Sequence, residues 1–400
     1  MGFYQEKIAT VFDALKENDF DMWIICGQES ATASEPALSM LADSEFIGKT
    51  ALVFLKNGKS YVVCTPIDAN GYEMTGVFDE VFPFPISFTD TLADLIKRED
   101  PRTIALDYSR NNPSADGLSV GFHQLIIEAM TKADSKAKVV SAEPVVVKIR
   151  SLKTKSEIEK ITKACIETEK IFNDAKNFIR AGINCRDVYA FFQKETERKG
   201  FGYSWPKSAN PGVVAGSDCP QGHVGAPDQI IRKGHVVNVD FGITVDGYSS
   251  DIQRMYYILK DDEEDAPEEI KKAFYAVRDA IQLSAKALKP GVTGNYVDTV
   301  ARDYIVSLGY PSWNAALGHQ LGKVAHDGGP LLAPRFPRYK PELIDARLSE
   351  NMVFTLEPGV ETSAGRIGLE EDVVVTEDGA RFLVPPQMEL YLIKEGEQNA

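Results

Sequence analysis

The sequence predicts two domains, an α/β layered one followed by one of long helices and strands, and three observations predict them. Short apolar strands alternate with helices up to about residue 147, the texture changes around "VVVKIRSLKTKSEIEKI", and long helical patterns interleaved with strand-like runs fill the rest. A chain of 400 residues also exceeds what one ordinary core spans. The domains are placed at 1–147 and 155–400, with 148–154 as a linker.

In the first domain the apolar, β-branched runs "DMWIIC", "TALVFL", "SYVVCT" and "TIALDY" read as strands. The amphipathic segments "MGFYQEKIATVFDALKEN", "DTLADLIKRE" and "VGFHQLIIEAMTKA" read as helices. The second domain opens at Ser156, an N-cap with Glu159 three residues on as a capping box. Helical patterns follow over 156–179, 185–199, 267–288 and 294–308, with strands near 236–243, 248–259, 351–360 and 367–376. The acidic run "KDDEEDAPEE" is a solvated loop whose last acids favour a helix N-terminus.

Composition excludes several functions. Net charge is -15, from 44 basic and 59 acidic side chains without a Lys/Arg block, which argues against nucleic acid or an anionic membrane as partner. No apolar run approaches the ~20 residues needed to span a bilayer. Cys26, Cys64, Cys165, Cys185 and Cys219 are odd in number, scattered and without a CxxC pair, as expected in a reducing compartment. The expected location is cytoplasmic.

Chemistry enters with "HVVNVDFGITVDGYSSDIQR". Asp246-Gly247 suits a type I′ turn, which requires φ > 0 at both central residues. That turn pairs Val245 with Tyr248 and Asp240 with Gln253, two residues along from Asp251, so the aspartates become diagonal neighbours on one face. Either these acids face water, or they share an apolar site. There two anions repel and lose hydration unless a cation compensates.

Farther along, "GHQLGKVAHDGG" holds His319 and His326 among glycines that favour irregular backbone. Their seven-residue interval is by itself a weak metal signal. "MVFTLEPGV" carries Glu357 and "RIGLEEDVVVT" carries Glu370. A hairpin centred between Ser363 and Ala364 would set those two glutamates opposite each other. Two Asp, one His and two Glu form an oxygen-rich set suited to Mn²⁺, Co²⁺, Zn²⁺ or Fe²⁺, and four carboxylates can balance two dications. Metal pairs ~3.5–4 Å apart are a recurrent device for activating water.

The ordered set Asp240, Asp251, His319, Glu357 and Glu370, in "VDFGITVDGYSSD", "GHQLG", "TLEPG" and "LEEDVVVT", resembles the pita-bread metallopeptidases: methionine aminopeptidase, aminopeptidase P, prolidase and their creatinase-like relatives. The resemblance runs from about residue 155 onward. The first part looks like the creatinase-type N-terminal domain of aminopeptidase P and prolidase. It implies an α+β catalytic domain holding two divalent ions, Mn²⁺ favoured, on those five residues, with Glu357 as catalytic base. It further implies a homodimer cleaving the N-terminal amide bond of Xaa-Pro peptides or dipeptides.

By the same resemblance His223, in "SDCPQGHVGAPDQ", and His326 line the substrate pocket and donate to the scissile carbonyl. Two positions depart from the family. Gln253 stands where Thr or Ser is usual, and Gly368 where proline-specific members carry Arg, with Arg366 displaced by two. A hydrolase of a small non-peptide C–N substrate, of the ectoine-hydrolase or creatinase type, and a non-catalytic pita-bread binding module are the alternatives. Retention of all five ligand positions disfavours the second.

Overall fold

The computed structural model describes residues 2–29, 35–42, 47–219 and 226–394. Two compact units divide it, Met1–Arg150 and Ser151–Ala400. The division falls within the segment 148–154, the first four residues of which complete the helix Glu143–Ser151. Among the described residues no helix is long and apolar enough to cross a membrane.

The first unit is a mixed six-stranded sheet of β1 (Met22–Gly27), β2 (Thr50–Leu55), β3 (Ser60–Cys64), β4 (Glu80–Pro83), β5 (Thr103–Leu106) and β6 (Lys138–Ser141), in the order β4-β3-β2-β1-β5-β6. β1, β2 and β3 pair antiparallel, while β4, β5 and β6 join by parallel pairing. Strand alternation divides the core between the two faces. Trp23, Ile25, Leu52 and Phe54 pack on one, and Met22, Ile24, Val53 and Ile104 on the other. β4 and β6 escape sequence reading because each is four residues long and none of their residues is fully buried.

The second unit opens with the helix Lys155–Ala175, whose cap is Thr154 rather than Ser156. Thr154 Oγ1 accepts from Glu157 N–H at 3.2 Å, and Glu157 Oε2 accepts from Thr154 N–H at 2.7 Å. Both T-x-x-E and S-x-x-E fit the sequence. The earlier start prevails because it also seats Glu157, 1% exposed, where it accepts from Tyr248 Oη at 3.0 Å.

The strands follow: β7 (Gly202–Tyr203), β8 (Gly212–Ala215), β9 (Val236–Phe241), β10 (Ile243–Val245), β11 (Tyr248–Ser249), β12 (Ile252–Ile258), β13 (Val353–Leu356), β14 (Gly359–Thr362), β15 (Gly365–Gly368), β16 (Glu371–Thr376), β17 (Gly379–Phe382) and β18 (Tyr391–Ile393). They lie between two helical layers. Phe172 and Phe192, from the helices Lys155–Ala175 and Cys185–Arg198, pack edge-to-face against Phe241 of β9. On the other side, the helices Glu268–Ala287 and Gly294–Ser307 bury Phe274, Val277, Ile281, Val297 and Ala301 with Phe354, Leu356, Ile367 and Val373.

Both hairpin registers are those expected from the turns. Asp246 and Gly247 take φ of 50° and 76°, Val245 faces Tyr248, and Gln253 faces Asp240. The run 248–259 is not one strand, however, since Ser250 and Asp251 interrupt it between β11 and β12. Opposite the break stands Gly242, where any Cβ would collide with the Ser250 carbonyl oxygen and lie 2.7 Å from Trp205 Cζ3.

In the second hairpin Thr362 faces Gly365 across Ser363-Ala364, Gly359 faces Gly368, and Leu356 faces Glu371. Glu357 and Glu370 thus fall between two ladders of the same register. Substituting Gly242→Ala is expected to cost about 1–3 kcal/mol, because the colliding atom is backbone and cannot swing aside. A urea unfolding midpoint equal to that of the parent chain would show that the break relaxes freely.

Candidate metal centre

Five segments deliver the site. β9 carries Asp240, the interruption before β12 carries Asp251, and the gap between the paired ladders carries Glu357 and Glu370. His319 comes from an irregular stretch lying antiparallel to β13. Thr355 N–H donates to His319 O at 2.9 Å, Glu357 N–H to Leu317 O at 2.7 Å, and Gln320 bridges Phe354. Gly318 permits the approach, since a Cβ there would strike the Thr355 carbonyl oxygen.

These segments bring the five side chains together. His319 Nε2 lies 3.4 Å from Glu357 Oε1, 3.7 Å from Asp251 Oδ2 and 3.9 Å from Glu370 Oε1. Asp251, His319 and Glu370 can each offer one ligand atom, all within 4.8 Å of one another. Asp240 faces Gln253 across the ladder, and its charge acts on both Asp251 and Glu357. His326 stacks on His319 with ring centroids 4.2 Å apart. His223 lies outside the described residues.

Hydrogen-bond logic shows what this cluster lacks. His319 Nδ1 is 3.3 Å from the Gln320 carbonyl oxygen, which can only accept, so the proton of a neutral ring sits on Nδ1. Burial and the neighbouring His326 keep the ring neutral, pushing its pKa down to about 3. Nε2 therefore presents a lone pair to three carboxylate oxygens, and with these acids ionised the arrangement holds acceptors without a donor. Asp240 Oδ1 is likewise buried without a hydrogen-bond partner among the described residues.

Burial pushes Glu357 up to about 8, with the charge of Asp240 adding to it, and pushes Asp240 up to about 7. Burial also raises Asp251 and Glu370 well above the carboxylate range; the charges of Asp240, Asp372 and Glu357 add to it at Asp251, and those of Asp251, Glu357 and Asp240 at Glu370. Asp240, His319 and Glu357 keep some accessible surface, yet surrounding protein excludes enough water for desolvation to dominate. One imidazole and four carboxylates that repel one another fit divalent cations.

Residues 159–377, more than half of the chain, match the model of metallopeptidase family M24. The chain belongs to that family. It is 30% identical over 269 residues to the Xaa-Pro dipeptidase of Pyrococcus furiosus, a match covering 66% of this chain and 72% of that one. The X-Pro aminopeptidase structure from Thermotoga maritima is similar at a TM-score of 0.72 and 25% identity, over 94% of this chain and 99% of that one. The Xaa-Pro dipeptidase structure from Bacillus anthracis is similar in fold at a TM-score of 0.73 and 23% identity, over 97% and 99%. The M24 catalytic unit has the pita-bread fold, and the chain is a metallopeptidase.

Behind the M24 cluster lies a set of contacts that sequence reading did not resolve. Asp372 Oδ2 accepts from Asp251 N–H at 3.0 Å and from Cys165 Sγ at 3.2 Å. Arg254, wholly buried, donates Nη1 and Nη2 to the two oxygens of Glu371, both at 3.0 Å, and Nε to Glu169 at 2.7 Å. Its Nη1 also reaches the Glu370 carbonyl at 3.2 Å, fixing the backbone beside that side chain. The available signal was three consecutive acids, Glu370, Glu371 and Asp372, before an apolar run, with an arginine in the equally apolar "IQRMYYI". Lys153 and Asp327 form a second buried ion pair at 3.1 Å, and Lys153 Nζ donates to Gln320 Oε1 at 3.4 Å, anchoring the stretch that holds His319 and His326.

The two departures from the family pattern acquire roles. Gln253 Nε2 donates to Glu370 Oε2 at 2.9 Å while its Oε1 accepts from Asn238 Nδ2 at 3.3 Å, which orients Glu370. Arg366 lies along the bare backbone left by two glycines. A Cβ on Gly359 would be 2.7 Å from its Nη2, and one on Gly368 would be 3.5 Å from its Nε. From there its charge opposes the upward shift of both Asp240 and Glu357.

Arg254→Ala should destabilise the fold by about 3–5 kcal/mol, because Glu371 would be left as a buried unpaired charge; a loss under 1 kcal/mol in denaturant unfolding would contradict this. A second expectation concerns pH. A carboxyl whose pKa is raised by folding binds more protons folded than unfolded, so its contribution to stability is present at about pH 4 and lost as pH rises through about 7–8. Bound cations offset that loss. The melting-temperature gap between metal-loaded and chelator-stripped protein should therefore widen from about pH 5 to about pH 8, and a constant gap would contradict it.

Proposed function

We propose that this metallopeptidase releases the residue preceding proline at the N-terminus of short peptides or dipeptides, using two divalent ions, Mn²⁺ before Co²⁺, Zn²⁺ or Fe²⁺. The observation that carries the reading is the donor-free convergence on His319 Nε2 of Asp251, Glu357 and Glu370, extended by the unpartnered Asp240 Oδ1. In this reading Asp240 and Asp251 take one ion, and Asp251, His319, Glu357 and Glu370 complete the pair. When bound, such a pair supplies Lewis acidity that makes water nucleophilic near neutral pH and polarises the scissile carbonyl.

The chain's own side chains do the rest. Glu357 accepts the proton of the attacking water on its carboxylate and passes it to the leaving nitrogen. Thr355 Oγ1, donating to Glu357 Oε1 at 3.3 Å and accepting His319 N–H at 3.2 Å, keeps that carboxylate and the imidazole in fixed relation. His326 and His223 would donate to the oxygen on which charge develops, stabilising the transition state more than the bound peptide. Proline specificity is supported by the Xaa-Pro names of relatives such as that of Pyrococcus furiosus.

The test is product release from Ala-Pro, Ala-Pro-Ala and Ala-Ala-Ala by chelator-stripped protein restored with each metal in turn. Cleavage before proline at least 100-fold faster than before alanine is expected, with loss of about 10²–10⁴ in rate for Glu357→Ala, the range of a general acid–base group. Metal-restored cleavage of Ala-Ala-Ala alone would overturn the proline specificity. Silence on all three, with cyclic amidines or N-acyl diamines hydrolysed instead, would move the reading to a non-peptide C–N substrate. Release unaffected by Glu357→Ala or Asp251→Ala would overturn the site.

A further inference from the structure

The basic segment "KIRSLKTK", where the second unit begins, contains a lysine that the metal cluster does not use. Lys153 stands between the helix Glu143–Ser151 and the Thr154 cap, with its side chain only 1% exposed. A lysine is seldom buried so completely unless it is paired. Here Asp327 Oδ2 lies 3.1 Å from Nζ, and Nζ donates to Gln320 Oε1 at 3.4 Å. The Lys153 N–H donates to Asn351 O at 3.0 Å, just before β13, so the backbone that carries the ammonium is fixed as well.

The partners of this ammonium occupy matching places. Gln320 directly follows His319, and Asp327 directly follows His326. One charge therefore holds the residue after each histidine and draws the two ends of the intervening loop together. Asp327 N–H donates to Gln320 O at 2.9 Å, which closes the loop a second time. Bare backbone lets it wrap this closely: a Cβ on Gly322 would lie 2.2 Å from Asp327 Oδ2 and 3.0 Å from Lys153 Cε. One residue back on each arm, the His319 and His326 rings stack at 4.2 Å. The Gln320 carbonyl oxygen that accepts from Asp327 also faces His319 Nδ1 at 3.3 Å. Contacts thus run from Lys153 Nζ through Asp327 and Gln320 to the ring whose Nε2 faces Asp251, Glu357 and Glu370.

We propose that Lys153 is a positioning residue for both histidines: its pairing with Asp327 and Gln320 sets the His319 ring toward metal and the His326 ring toward substrate. The inference rests on the reading of the cluster as the metal centre of a peptidase. A hydrogen bond behind a metal-binding imidazole fixes its tautomer and orientation, and losing such support typically costs about 10–100-fold in metal affinity or activity. At His319 that hydrogen bond goes to the Gln320 carbonyl, which Asp327 holds from the other side and which Lys153 secures through both side chains. An ion pair that only held the fold together would stabilise the chain without bearing on either ring.

Removing the lysine alone would leave Asp327 as a buried unpaired charge, so the decisive chain is the double variant Lys153→Met/Asp327→Asn, which removes both charges at similar volume. Chelator-stripped parent and variant are titrated with Co²⁺, read by the visible absorption of the bound ion, and compared in melting temperature and in Ala-Pro hydrolysis at saturating Co²⁺. The variant should melt within about 4 °C of the parent, bind Co²⁺ about 10–100-fold more weakly, and lose about 10-fold or more in kcat with a smaller change in KM. The proposal is overturned if the folded variant keeps the parent's Co²⁺ affinity and kcat, whatever its melting temperature. If the variant does not fold, ¹⁵N-histidine spectra of the stripped parent decide: a proton on His319 Nδ1 supports the route through Gln320, and a proton on Nε2 overturns it. A parent chain that binds no Co²⁺ would overturn the metal-centre reading itself, an outcome distinct from a parent that binds it and a variant that binds it equally well.

Discussion

Three carboxylates converge on one neutral imidazole with a fourth, Asp240, acting on two of them, and the second unit is built to hold these repelling groups there. None of Asp240, Asp251, Glu357 and Glu370 is on a free loop: each is at the end of a ladder or within its interruption, where neighbouring pairs fix the backbone on both sides. The Arg254 guanidinium, shared between Glu371 and Glu169 and touching the Glu370 carbonyl, puts positive charge directly behind the anionic face. In the absence of cations, burial answers the repulsion by raising the acids toward neutrality. The site is thus preorganised at a cost to stability that bound metal offsets.

Much of this was legible in the sequence because turns count residues. Asp246-Gly247 set the register of the first hairpin, and with it the juxtaposition of Asp240 and Gln253. Ser363-Ala364 did the same for the second, although no strong turn signal marks it. The less legible features depend on contacts remote in sequence. No local pattern distinguishes a Thr154 cap from a Ser156 cap until Tyr248 is known to reach Glu157. The two-ladder course of the chain through Glu357 and Glu370 depends on which third strand each meets, and Glu370 turns to bridge Gln253. Edge strands such as β4 and β6 carry too little burial to show a period.

The departures from the family pattern are easier to understand as a connected change than as isolated losses. Gln253 supplies an amide where a hydroxyl is usual, and it reaches Glu370 directly. Gly368 removes a side chain from the same neighbourhood, and Arg366 extends its own along the vacated backbone. From β15 its positive charge reaches Asp240 and Glu357.

Because both hairpins place their acids by distance from a turn, the ligand set is encoded in lengths as much as in residue types. A strand's side chains alternate faces, so a one-residue slip of the pairing across Asp246-Gly247 or Ser363-Ala364 would invert one arm relative to the other while leaving every acid in the sequence. An insertion that slipped the pairing by one residue would thus remove a ligand without touching it, whereas one absorbed as a longer loop at the tip would leave the set intact.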